Sequence, residues 1–284
     1  MKNITSPLRY PGGKSKALRE ILPFIPLNFS EYREPFLGGG SVFIAVKQLR
    51  QNALYKISDL NYDLYCFWEY VKDKPEELVS EIIRIKNNYI SGRELYEELA
   101  CSYDESNDFY RAIRFYILNR ITYSGTVDSG GYSSLAFEKR FTLSNIEKLR
   151  PMSILLQDVE ITNRSYENLL FEEGRNVFIY LDPPYWRSRK SKLYGNHGNL
   201  HISFDHRKFA ENIKKCKHKW LITYDNSEAI RDMFTFANIY EWEMQYGMNN
   251  INGKKAKKGK EIFIANYDVR ELPDYRDKIE TGSS

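Results

Sequence analysis

Asp182-Pro183-Pro184-Tyr185 directly follows five consecutive apolar residues, Val177–Leu181. Two adjacent prolines can neither continue a central strand nor enter a helix interior, so the chain must turn there. Such a turn holds the Asp182 carboxylate and the Pro183 carbonyl in fixed places and sets the Tyr185 ring beside them. Two acceptors and one flat ring suit an exocyclic amine on a planar base, which donates two hydrogen bonds while its face stacks on the ring. The plainer alternative is a rigid Pro-Pro turn carrying an incidental Asp.

Two glycine-rich stretches carry further chemistry. In Glu34-Pro35-Phe36-Leu37-Gly38-Gly39-Gly40 the glycines permit a tight turn and a close approach of ligand to main chain. Asp59 follows 19 residues after Gly40, where a carboxylate can accept from ribose hydroxyls. The pair suits an adenosine-containing cofactor, although a glycine triplet is often only a loop, and the GxGxxG spacing that favours NAD is missing. In Arg9-Tyr10-Pro11-Gly12-Gly13-Lys14 the lysine precedes a predicted helix and could hold a phosphate or a carboxylate. A Walker loop is disfavoured, because only Lys14-Ser15 matches the end of its pattern.

Strand-sized apolar runs alternate with helical patterns and set these residues in an α/β fold. Residues 31–36 and 55–58 read as strands, 14–24 and 41–51 as helices. Val177–Leu181 reads as a buried parallel strand, and 220–223 and 261–266 look similar, with helices at 205–216 and 227–236 between them. The expectation is a parallel sheet with helices on both faces. Residues 62–118 instead show helical periodicity with no buried-strand run, and 122–134 are rich in turn residues. Residues 62–151 therefore read as a helical insertion, dividing a catalytic domain into 1–61 and 152–284.

The chain has 284 residues and a net charge of only +4, but the charge is unevenly spread. Residues 59–108 carry 13 acids and 5 bases, whereas residues 186–220 carry 10 Lys/Arg and 2 acids. Lys254, Lys255, Lys257, Lys258 and Lys260 form a second basic run, read either as a solvated loop tip or as contacts to a polyanion. Cys66, Cys101 and Cys216 are odd in number and widely spaced, which fits neither a disulfide framework nor a metal knuckle. His197 and His201 have a ligand-like spacing, but Gly195 and Gly198 argue against a helix there, so no metal is expected. No apolar run spans a bilayer, and the N-terminus lacks the apolar core of an export signal, which points to a cytoplasmic protein.

Tyr10-Pro11-Gly12-Gly13-Lys14, Glu34-Pro35-Phe36-Leu37-Gly38-Gly39-Gly40, Ser58-Asp59-Leu60-Asn61 and Asp182-Pro183-Pro184-Tyr185, in this order, resemble the Dam-type DNA adenine-N6 methyltransferases. The resemblance implies a Rossmann-like methyltransferase sheet with an inserted, mainly helical target recognition domain. It implies S-adenosylmethionine as cofactor, contacted by Tyr10, Lys14, Asp59 and Asp182, with Pro35, Phe36, Gly38, Gly39 and Gly40 lining its methionine pocket. It makes Asp182, Pro183, Pro184 and Tyr185 catalytic, acting on an adenine flipped out of duplex DNA. Asn119, Arg120, Tyr123 and Ser124 resemble the start of that family's DNA-contacting hairpin, and Arg187, Arg189, Lys254, Lys255, Lys257 and Lys258 would touch phosphates. The alternative for Asn119 and Arg120 is to cap or salt-bridge the preceding helix. The Ser/Thr-rich stretch after Gly125 departs from the enteric pattern, so the recognition sequence does not carry over. A monomer is expected, and the resemblance leaves room for a cognate restriction endonuclease. The alternatives from other classes are an RNA or cytosine-N4 amino-methyltransferase and a non-catalytic DNA-binding module.

Overall fold

A computed structural model of the chain describes residues 4–26, 28–101, 104, 106–127, 130–186, 204–245 and 258–272. Seven strands form one sheet: β1 (Glu31–Glu34), β2 (Leu54–Ser58), β3 (Val159–Thr162), β4 (Val177–Leu181), β5 (Lys219–Asp225), β6 (Asn238–Gln245) and β7 (Lys258–Ala265). Their spatial order is β3-β2-β1-β4-β5-β7-β6. The pairings from β3 through β5 are parallel, and β7 runs antiparallel to both β5 and β6. The order reverses between β1 and β4, and a ligand crevice belongs at the carboxyl ends of strands at such a switch point. The fold is a Rossmann-like α/β fold.

Period-2 alternation divides the core between the two faces of the sheet. Val177, Ile179 and Leu181 of β4 pack with Trp220, Ile222 and Tyr224 of β5 against α10 (Tyr166–Phe171), α11 (His206–Lys215) and α12 (Glu228–Met233). Phe178 and Tyr180 point to the opposite face, which is covered by α1 (Leu18–Ile21), α2 (Ser41–Leu49) and the helices of the insertion. Both faces of β4 are buried, which is why its sequence is uniformly apolar.

Between β2 and β3 run α3 (Tyr62–Asp73), α4 (Pro75–Asn88), α5 (Gly92–Cys101), α6 (Asp108–Ile121), α7 (Ser134–Arg140), α8 (Leu143–Ile146) and α9 (Leu149–Leu156). The Asn61 side chain accepts from Leu64 N and starts α3 just beyond Asp59. The insertion shares a continuous apolar core with one face of the sheet, through Leu64, Phe67 and Trp68 of α3 among others.

Several expectations need correction. The strand expected at 261–266 falls on β7, which ends at Ala265 and is antiparallel, because an apolar run does not report strand direction. The helix expected over 14–24 is broken: Leu18–Ile21 is α-helical and is flanked by 3-10 turns at Lys14–Lys16 and Leu22–Phe24. The boundary expected after Pro151 falls inside α9, whose first turn tolerates the proline. No helix among the described residues is long and apolar enough to cross a membrane.

Candidate active site

The three sequence motifs meet at one cavity of about 430 Å³, at the carboxyl ends of β1, β2 and β4. Tyr10, Lys14, Phe36, Gly38, Gly39, Gly40, Asp59, Asp182, Pro183, Pro184 and Tyr185 all line it. Its size falls within the roughly 300–1,000 Å³ of pockets that hold small ligands. Pro35 is buried and is not among the lining residues, which corrects its expected place. It follows directly on the end of β1, and its neighbours Glu34 and Phe36 line the cavity.

The glycine-rich turn is fixed from two sides. Asp59 Oδ2 accepts from Gly38 N at 2.8 Å, and Asp59 Oδ1 accepts from Asn61 N at 2.9 Å. Trp68 Nε1 of α3 donates to the Gly38 carbonyl at 3.2 Å. Gly38 has φ +49°, and a Cβ there would stand 2.8 Å from the Tyr10 ring, so no side chain fits. Burial raises the pKa of Asp59, and the two backbone amides oppose that shift.

Lys14 joins the first motif to the last. Its Nζ donates to Asp182 Oδ2 at 2.7 Å and to the Gly12 carbonyl at 3.0 Å, and lies 4.9 Å from the Tyr185 ring centroid. The cation therefore has a protein partner in the DPPY turn while it also lines the cavity. On its other oxygen, Asp182 Oδ1 accepts from the Thr223 hydroxyl at 2.7 Å. The Tyr185 hydroxyl donates to Glu261 Oε2 at 2.9 Å, and Trp186 N donates to Asp225 Oδ1 at 2.8 Å, so β5 and β7 pin the turn.

Sequence reasoning missed several of these groups. Glu34 lines the cavity and is 2% exposed. Burial pushes its carboxyl well above the usual range, with the Asp182 charge adding to the shift. The Tyr32 hydroxyl, donating to Glu34 Oε2 at 2.5 Å, partly offsets it. Thr223 and Glu261 belong to strand runs read as core filling. A polar residue inside such a run is the signal that could have marked them, because buried polar groups need partners.

Asn119 and Arg120, expected to face DNA, are buried at 0% and 6% exposure. Asn119 Oδ1 accepts from Arg9 N, and its Nδ2 donates to the carbonyls of Arg9 and Gly125, each at 2.9 Å. Arg120 donates to the carbonyls of Pro7 and Arg140. Both residues clamp the segment leading to Tyr10 onto the end of α6. Gly125, with φ +75°, admits this contact, since a Cβ there would lie 2.0 Å from the Arg9 carbonyl. Tyr123 is 63% exposed and Ser124 is exposed too, so this pair alone keeps the outward orientation expected of all four.

Arg187, Arg189, Lys254, Lys255 and Lys257 lie outside the described residues, as do His197 and His201; Lys258 begins β7. No group of three or more His, Cys, Asp and Glu among the described residues is placed to hold a metal. The three cysteines are free thiols.

A family model described as D12 class N6 adenine-specific DNA methyltransferase matches residues 10–248. The chain is 25% identical over 284 residues to Type II methyltransferase M.MjaIII of Methanocaldococcus jannaschii, with 92% of this chain and 98% of that protein covered. It is 24% identical to Type II methyltransferase M1.LlaDCHI of Lactococcus lactis, covering 91% of this chain and 94% of that protein. It is also 24% identical to the DNA adenine methylase of Salmonella typhi, covering 90% and 94% respectively.

Proposed function

Because the chain belongs to the D12 class N6 adenine-specific DNA methyltransferase family, we propose that its cavity binds S-adenosylmethionine and that the Asp182-Pro183-Pro184-Tyr185 turn receives the flipped target adenine. The protein is an enzyme that methylates the N6 amine of adenine in DNA. That substrate does not favour the RNA and cytosine-N4 alternatives. The finer assignments that follow are our reading of the site.

The residues suit such a cofactor. Tyr10, Phe36, Tyr185, Asp59 and Asp182 all line the cavity. Aromatic faces and carboxylates attract a sulfonium cation. When bound, S-adenosylmethionine supplies an electrophilic methyl group.

The observation that carries the mechanism is the Asp182 carboxylate, held at the cavity by Lys14 and Thr223 beside the Pro183 carbonyl and the Tyr185 ring. The N6 lone pair of adenine is delocalised into its ring and is a poor nucleophile. Asp182 and the Pro183 carbonyl accept from the two N6 hydrogens and so favour a tetrahedral nitrogen with a directed lone pair. Tyr185 stacks on the base, and its tether to Glu261 keeps the ring in place. The rate gain comes from alignment and electrostatics, with no covalent enzyme intermediate.

The helices between β2 and β3 serve as the target recognition domain in this reading, with Tyr123 and Ser124 facing the duplex. Arg187, Arg189, Lys254, Lys255, Lys257 and Lys258 contact phosphates. The enzyme works inside the cell as a monomer, and a cognate restriction endonuclease is a further partner in the same reading. The test is nucleoside analysis of DNA treated with the wild type and with Asp182→Ala. The wild type should produce N6-methyladenine and the variant should not; a variant as active as the wild type rejects the role of Asp182.

A further inference from the structure

Register places three hydroxyl and carboxyl groups in a row beneath the cavity. Leu181 of β4 pairs with Ile222 of β5, and both side chains enter the same apolar cluster. The alternation of a parallel ladder then turns the next residues, Asp182 and Thr223, to the opposite face, the face that Tyr180 shares. Thr223 Oγ1 lies 2.7 Å from Asp182 Oδ1 and 3.1 Å from the Tyr180 hydroxyl. Thr223 and Tyr180 are 0% and 1% exposed.

The proton order follows from the chemistry of the groups. Ion-paired with Lys14, the Asp182 carboxylate only accepts. The threonine hydroxyl has one proton and gives it to Asp182, so the tyrosine hydroxyl donates to Thr223. Lys14 alone would leave the carboxylate free to rotate about a torsion whose wells are broad. A second donor on the other oxygen fixes its plane.

We propose that Thr223, backed by Tyr180, is a positioning residue that sets the plane of the Asp182 carboxylate for the target amine. Two of its roughly four lone-pair sites are taken by Lys14 and Thr223, and the rest are left for the N6 hydrogen. This rests on Asp182 acting as the acceptor for that amine.

The test compares Thr223→Val, which keeps the shape and removes the hydroxyl, with Thr223→Ser, which keeps the hydroxyl, and with Tyr180→Phe. Single-turnover methylation, affinities for S-adenosylmethionine and for duplex DNA, and thermal midpoint are measured for each, with Asp182→Ala alongside. Thr223→Val should lose about ten- to a hundredfold in single-turnover rate, the scale of one hydrogen bond to a charged group. Both affinities should stay close to wild type, Thr223→Ser should recover most of the rate, and Tyr180→Phe should lose less than Thr223→Val. A wild-type rate in Thr223→Val beside an inactive Asp182→Ala overturns this inference alone. A rate lost only in step with folded protein, with no recovery in Thr223→Ser, assigns Thr223 a structural role and overturns it too. A wild-type rate in Asp182→Ala removes the underlying reading of the site itself.

Discussion

Lys14 Nζ stands 2.7 Å from Asp182 Oδ2, although 168 residues separate the two in sequence. The contact makes the Gly-Gly-Lys turn and the DPPY turn one unit, so a change in either is felt at the cavity. Their side chains are 5% and 20% exposed.

Lys14→Ala should therefore act on stability as well as on binding. Breaking a buried pair costs about 3–5 kcal/mol, and the residual exposure of Asp182 lowers the expected loss to about 2–3 kcal/mol. Urea unfolding measures this, and titration calorimetry should show roughly tenfold or weaker binding of S-adenosylmethionine. Unchanged stability and affinity would show that the pair does no work.

Asp59→Asn should loosen the glycine turn. The carboxylate accepts from Gly38 N and Asn61 N on separate oxygens, and an amide offers only one oxygen. Cofactor affinity should fall by about tenfold, the cost of one hydrogen bond to a charged group. A dissociation constant equal to wild type would contradict this role.

Glu34 gives a pH signature. Its ordinary value is 4.5, and burial raises it well above that in the folded chain. Between the two values the native state holds a proton that the unfolded chain has released, so stability falls as pH rises through the window. Glu34→Gln cannot titrate and keeps an acceptor for Tyr32. Its stability relative to wild type should rise from about pH 4.5 towards neutrality, measured by denaturant unfolding across pH. A difference that stays constant with pH would remove the assignment.

Asn119 and Tyr123 should separate folding from DNA contact. Asn119→Ala strands the Arg9 amide and two carbonyls, at a cost of about 2–3 kcal/mol. Tyr123→Ala alters an exposed ring, so stability should change by no more than about 0.5 kcal/mol. Binding to the cognate duplex should weaken more than binding to random DNA. Equal losses on both duplexes would show that Tyr123 does not read sequence.

Legibility in the sequence followed burial. Val177–Leu181 is readable because a strand covered on both faces must be apolar throughout. Val159–Thr162 is not, because this edge strand alternates buried and exposed residues over only four positions. The cavity residues Tyr10, Lys14, Asp59 and Asp182 are readable because turns and glycines punctuate the chain beside them. Asn119 misleads because residue type does not report burial, and its partner Arg9 lies 110 residues away. Thr223 passes for an ordinary β-branched strand residue until the register sets it opposite Asp182.

The most direct measurement is the nucleoside composition of duplex DNA after incubation with S-adenosylmethionine and purified enzyme, wild type against Asp182→Ala. The expected result is N6-methyladenine from the wild type and a loss of at least about a hundredfold in the variant, on the scale of removing one preorganised transition-state contact. Undiminished N6-methyladenine from Asp182→Ala, or methylated cytosine in its place from the wild type, would contradict the assignment of this turn as the adenine acceptor.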